Sequence, residues 1–74
     1  MKLSQLNKNS EAIITKISAN DDLKQRFYSF GIVKGASIYV ENISLAKNTI
    51  EINVDDTDIG LRVVEADTIE VEIV

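Results

Sequence analysis

The chain has no cysteine and no histidine. The first absence rules out disulfides and thiolate metal sites. The second removes the usual general base and the commonest metal ligand in one step. No apolar run approaches the roughly 20 residues of a membrane span, and the first residues do not make a signal peptide. A cytoplasmic location without direct membrane insertion is therefore expected. Neither a Gly-x-Ser-x-Gly turn nor a phosphate-binding loop is present. A nucleophile would have to be Ser, Thr or Lys working with an unusual base. The chain is expected to be no enzyme and to need no cofactor.

Positive charge is scarce and unevenly placed. Residues 1–40 hold six bases and three acids, a net of +3, whereas residues 41–74 hold two bases and nine acids, a net of −7. The total of −4 argues against nucleic acid, whose binding rests on phosphate neutralisation. The 74 residues make a single domain, 1–74. A chain so short buries only about 60% of the surface that it exposes when unfolded, which keeps its stability modest. Its 45% hydrophobic content still allows a core.

Asn20 to Gly35 organises the chain. Asn20 or Asp21 can cap a helix by accepting an otherwise unpaired backbone N–H, and Asp21 and Asp22 suit the positive end of its dipole. Leu23, Phe27 and Phe30 recur at i, i+4 and i+7 as one apolar stripe. Lys24, Gln25, Tyr28 and Ser29 fall on the other side. Gly31 suits the left-handed position just past the helix end, and Gly35 marks a second turn. Ahead of this helix, Leu3 and Leu6 fit one helical turn docked on the core, and Asn7–Ser10 reads as a turn. Ala12–Ser18 is rich in β-branched residues and reads as a strand, with Ile13 and Ile17 on one face and Ile14 on the other. Its imperfect alternation suggests a bulge.

After Gly35 the period becomes two. Ile38 and Val40, then Ile50, Ile52 and Val54, then Ile59, Leu61 and Val63, then Ile69, Val71 and Ile73 alternate with polar or small residues. Such alternation means one buried and one wet face. The breaks at Ala46–Asn48, Asp55–Thr57 and Glu65–Asp67 are short enough for hairpins between neighbouring strands. About five short strands would expose long edges unless the sheet curls into a partly open barrel. The expected fold is mainly β, a small barrel with the helix closing one end.

A few residues invite a functional reading. Asp55, Asp56 and Asp58 could offer oxygen ligands to a hard cation, but they lack the length and glycine of a calcium loop, and a turn explains them as well. Arg26 and Arg62 stand out among few bases. Each could be structural, and each could meet an acidic partner. Tyr28 lies beside Lys24 and away from the apolar stripe. An exposed aromatic next to a base is a common protein contact pair.

Helix, Gly-Ile, Gly, paired strands and a late Leu-Arg pair together resemble the FeoA family of bacterial ferrous-iron uptake. The resemblance rests on Leu23, Arg26, Phe27, Phe30-Gly31-Ile32, Gly35, Ile50-Glu51-Ile52, Leu61-Arg62, and Ala66 leading into Ile69-Glu70-Val71. The chain departs from the family pattern at Lys34, where proline is frequent, at the Ala46–Asn48 turn, and at Gly60, where alanine is frequent. The resemblance implies an SH3-like barrel. It also implies a non-enzymatic accessory that acts on the membrane ferrous-iron transporter carrying a GTP-binding domain. On that reading Lys24, Arg26, Tyr28 and Arg62 are the candidate partner contacts. The alternative is a small barrel that binds or senses a divalent transition-metal cation directly, for which Asp55, Asp56 and Asp58 are weak candidates. Ferrous iron would more usually recruit imidazole as well as carboxylate.

Overall fold

The computed structural model describes all 74 residues. A 3₁₀ turn, Leu3–Gln5, leads into strand β1, Glu11–Ile17, and helix α1, Asp21–Ser29. Three strands follow, β2 (Ser37–Ser44), β3 (Thr49–Val54) and β4 (Thr57–Arg62). A short helix α2, Val63–Ala66, precedes the last strand β5, Ile69–Ile73. All pairings are antiparallel, and the strand order is β4-β3-β2-β1-β5. Inward side chains of all five strands join one cluster of 16 buried apolar residues, and no polar side chain is buried. The sheet therefore curls around a single core and stays open between its edges β4 and β5. Phe27 from α1, Ile32 after it, Ala66 from α2, and Leu3 and Leu6 from the first residues complete that cluster.

Two hairpins form where the breaks predict them. The β2–β3 loop runs from Leu45 to Asn48, between the paired Ser44 and Thr49. The β3–β4 loop is only Asp55-Asp56, between the paired Val54 and Thr57. Both aspartates have positive φ, 53° and 62°, as a two-residue turn compatible with strand twist demands. The third break is no hairpin. Val63 leaves the strand pattern, α2 forms, and β5 is carried past β4 to pair with β1.

Bulges interrupt two strands, and the first corrects an expected face. The β1–β5 register shifts between Ile14 and Lys16, so Thr15 is an extra residue. Before it Ala12 and Ile14 point inward, and after it Ile17 packs on the core. Ile13, expected to share a face with Ile17, is instead exposed. A second shift in β2, between Val40 and Asn42, places Glu41 at a bulge and lets Ile43 rejoin the core side. One inserted residue inverts the phase of everything after it, because strand side chains alternate with period two.

The ends of α1 follow the sequence reading. Asn20 Oδ1 accepts the Leu23 N–H at 2.9 Å. At the other end the Ile32 N–H donates to the Phe27 carbonyl at 2.9 Å and the Gly31 N–H to the Tyr28 carbonyl at 3.1 Å. Gly31 sits at φ 84°. This paired closure satisfies carbonyls that a helix end leaves unbonded. It also reverses the chain so that Ile32 enters the core beside Phe27. Phe30, expected on the apolar stripe, stays 41% exposed. The chain has left the helical path by that point, and Ile32 joins the core in its place.

A Cβ at Gly31 would make only ordinary contact, 3.8 Å from Val54 Cγ1. The cost of substitution there is consequently conformational. Gly31→Val is expected to destabilise by about 1–3 kcal/mol and Gly31→Asn by clearly less, because asparagine tolerates positive φ better than a β-branched residue. Thermal melts of the two variants check this. Equal losses, or a reversed order, would count against the conformational origin.

Candidate functional site

Helix α1 presents the first group of candidates. Tyr28 is 52% exposed, and Arg26 and Gln25 are exposed, whereas Lys24 is half-buried. The helix end adds Phe30 and Val33, both exposed apolar residues, and the exposed Lys34. Aromatic and aliphatic side chains thus stand beside bases over a short stretch of chain. Tyr39, on β2 between the inward Ile38 and Val40, is half-buried, and its hydroxyl donates to Asn9 Oδ1 at 2.7 Å. That bond ties it to the turn before β1.

Arg26 and Arg62, separate in sequence, line the same hollow of about 570 Å³. Its floor is the outer face of the β3–β4 hairpin, where Thr49 pairs with Arg62 and Glu51 with Gly60. Gly60 has no side chain, and a Cβ there would meet nothing within 4 Å. Glu65 closes one wall. Its Oε2 accepts from Arg26 Nη1 at 3.0 Å, and its Oε1 accepts the Arg62 N–H at 2.9 Å. One carboxylate therefore joins α1, β4 and α2. Arg26, which could be structural or meet an acidic partner, bonds this glutamate of its own chain. A second hollow of about 540 Å³ shares Thr49 and Arg62 and adds Lys47, Val63 and Val64.

The candidate metal residues do not converge. Asp55 and Asp56 occupy the β3–β4 turn, Asp58 lies on β4, and no three carboxylates in the chain are grouped closely enough to hold an ion. Asp58 Oδ1 accepts from Asn53 Nδ2 at 2.9 Å. Hydrogen bonds from Glu41 first and Asn53 second hold the Asp58 carboxyl below its usual range. The same bond to Asp58, then partial desolvation and the nearby Asp58 and Glu51 charges, push Glu41 upward. Asp58 therefore lies among groups of the outer sheet face, bonded to Asn53 on β3 and near Glu41 on β2.

Sequence reading missed Glu65, Phe30 and Val33 as surface residues of interest. Glu65 carried a usable signal. It stands three residues after Arg62, the spacing at which a glutamate reaches back to an N-cap amide. Glu65→Ala is expected to cost about 1–2 kcal/mol, because it strips the amide partner at the start of α2 as well as the ion pair. Arg26→Ala removes only a partner whose side chain is 58% exposed, and a loss of about 0–1 kcal/mol is expected. Urea unfolding of both variants measures the difference, and equal losses would deny the amide contact its share.

Known proteins confirm the family resemblance. The model of the FeoA domain matches residues 1–73. A chain of Campylobacter jejuni named "Putative Fe(2+) transport protein A" is 36% identical over 74 residues, all of both chains. The solution structure of the FeoA protein from Chlorobium tepidum is 32% identical, with a TM-score of 0.92 over 99% of this chain and 70% of that one. The crystal structure of Stenotrophomonas maltophilia FeoA, complexed with zinc and described as a procaryotic SH3 domain protein, is 26% identical. Its TM-score is 0.84, covering 97% of this chain and 89% of that one. No helix here is long and apolar enough to cross a membrane. With a five-stranded curled sheet, one capped helix and a family match across nearly its full length, this chain belongs to the FeoA family of ferrous-iron-transport proteins and has its SH3-like fold.

Proposed function

We propose that the chain is a non-enzymatic accessory of ferrous-iron uptake that binds the cytoplasmic part of the GTPase-containing iron transporter. The contact surface is the outer side of α1 and the turn that follows it. The observation that carries this reading is the exposure of Tyr28, Phe30 and Val33 beside Lys24, Arg26 and Lys34. Aromatic anchors fringed by bases suit a partner surface that is apolar at its centre and acidic at its rim. Arg62 lies at the border of this surface, sharing its hollow with Arg26. The barrel then acts as a rigid support. Any effect on GTP hydrolysis is indirect, through preference for one conformation of the partner.

Two substitutions separate the roles. Tyr28→Ala is expected to speed dissociation from the transporter's cytoplasmic domains, with an affinity loss of about tenfold or more, as for a truncated anchor. Lys24→Ala is expected mainly to slow association and flatten its salt dependence. Circular dichroism establishes that both variants fold, and surface-immobilised binding gives the rates. Wild-type rates in both would move the contact away from α1.

Direct metal sensing is the competing reading, and the separation of Asp55, Asp56 and Asp58 from a common centre speaks against it. Anaerobic calorimetry of the isolated chain with ferrous ion is expected to show no stoichiometric site at low micromolar concentration. A site of that affinity, lost in the triple variant Asp55→Asn, Asp56→Asn, Asp58→Asn, would overturn the expectation.

A further inference from the structure

The two edges of the sheet are treated differently. The β5 edge is covered by the first residues of the chain. The Val71 N–H donates to the Met1 carbonyl at 2.7 Å, the Met1 ammonium donates to the Val71 carbonyl at 3.2 Å, and Lys2 bridges to Glu70. The β4 edge has no such cover. Its hydrogen-bond phase is fixed by the Val63 N–H, which donates to the Asn48 carbonyl at 2.8 Å. Counting in steps of two, Leu61, Ile59 and Thr57 turn their backbone groups toward β3, and Asp58, Gly60 and Arg62 turn theirs outward. The Arg62 N–H is taken by Glu65. No hydrogen bond from a turn, loop or side chain reaches the backbone of Asp58 or Gly60.

An open edge needs a reason not to attract other chains, and edge charges of one sign usually supply it. Here the exposed charges have opposite signs and stand symmetrically about a glycine, in the order Asp58-Ile59-Gly60-Leu61-Arg62. We propose that this edge pairs with the same edge of a second copy of the chain, antiparallel and centred on Gly60. In that register Gly60 faces Gly60, and each Asp58 faces the other copy's Arg62. The free N–H and C=O of the two glycines exchange both hydrogen bonds of a closely spaced pair. Asp58 and Arg62 of opposite copies become directly opposed on the outer face, where opposite charges attract.

The charge gradient of the surrounding chain points the same way. Asp55, Asp56 and Asp58 crowd one end of β4, while around the other Arg62, Arg26 and Lys47 outnumber Glu51 and Glu65. Antiparallel pairing sets each acidic end against a basic one, whereas parallel pairing would bring like ends together. Gly60 contributes by its missing side chain, which leaves the middle of the edge open to a neighbouring backbone. The contact is small and falls in the weak class of interfaces. It lies on β4, shares only Arg62 with the proposed transporter-binding surface, and its test reads self-association of the chain alone, so it stands or falls apart from that reading.

Sedimentation equilibrium of the full chain up to about 1 mM at low ionic strength, a range that populates even weak complexes, tests the pairing. A monomer–dimer equilibrium that weakens with added salt is expected. Asp58→Arg and Arg62→Asp, each confirmed folded by circular dichroism, are each expected to weaken dimerisation about tenfold or more, since each opposes like charges twice. The double variant restores opposite charges with their positions exchanged and is expected to recover association to within about threefold of wild type. A chain that stays monomeric throughout overturns the proposal and leaves the edge to an extended segment of another protein. So does a dimer indifferent to both single reversals, or one that the exchange fails to rescue.

Discussion

The carbonyl of Phe27 is the point on which the helix and the barrel agree. It accepts the N–H groups of both Phe30 and Ile32, which ends α1 and sends the chain back across the open end of the sheet. Without that reversal Phe27 and Ile32 could not enter the same core from two directions. The left-handed backbone of Gly31 makes the reversal possible, and the apolar contact between the two flanking residues makes it favourable. The functional surface inherits its layout from the same turn. Tyr28 and Phe30 face outward because their neighbours Phe27 and Ile32 are committed inward.

Much of the fold was legible as period. Four runs of alternating apolar residues gave β2 to β5, and the i, i+4 stripe with its asparagine cap gave α1. Phase was harder to read. A bulge is one residue that belongs to the chain and not to the alternation, so Ile17 joined the face of Ile14 and not that of Ile13. Helix α2 escaped because Val63 continues the alternation of Ile59 and Leu61. Only tertiary position separates it, where the chain must leave β4 and cross to β1. A four-residue helix has too little periodicity to announce itself.

The candidate site was legible residue by residue but not as an arrangement. Tyr28 could be placed outside because the helical stripe had no use for it. Arg26 and Arg62 were notable only for rarity. Their common hollow depends on the reach of Arg26 to Glu65 of α2 and on the missing side chain of Gly60. Glu65 was assigned to a turn, and its role as the joint between three elements follows from α2 being where it is. Local spacing encodes caps and faces; it does not encode which distant faces meet.

The antiparallel pairing of β1 with β5 has a consequence in time. Ala12 lies opposite Ile73, so the strands nearest the two ends of the chain are neighbours. The β2–β3–β4 meander closes through short loops and can organise locally, each hairpin within about 1–10 microseconds. The β1–β5 ladder must close a loop of most of the chain, and the entropy of that closure is lost before any contact repays it. The core is shared between the two halves, so neither buries its apolar face alone. The β1–β5 ladder is accordingly the costly closure of this fold, because it joins the strands farthest apart in sequence.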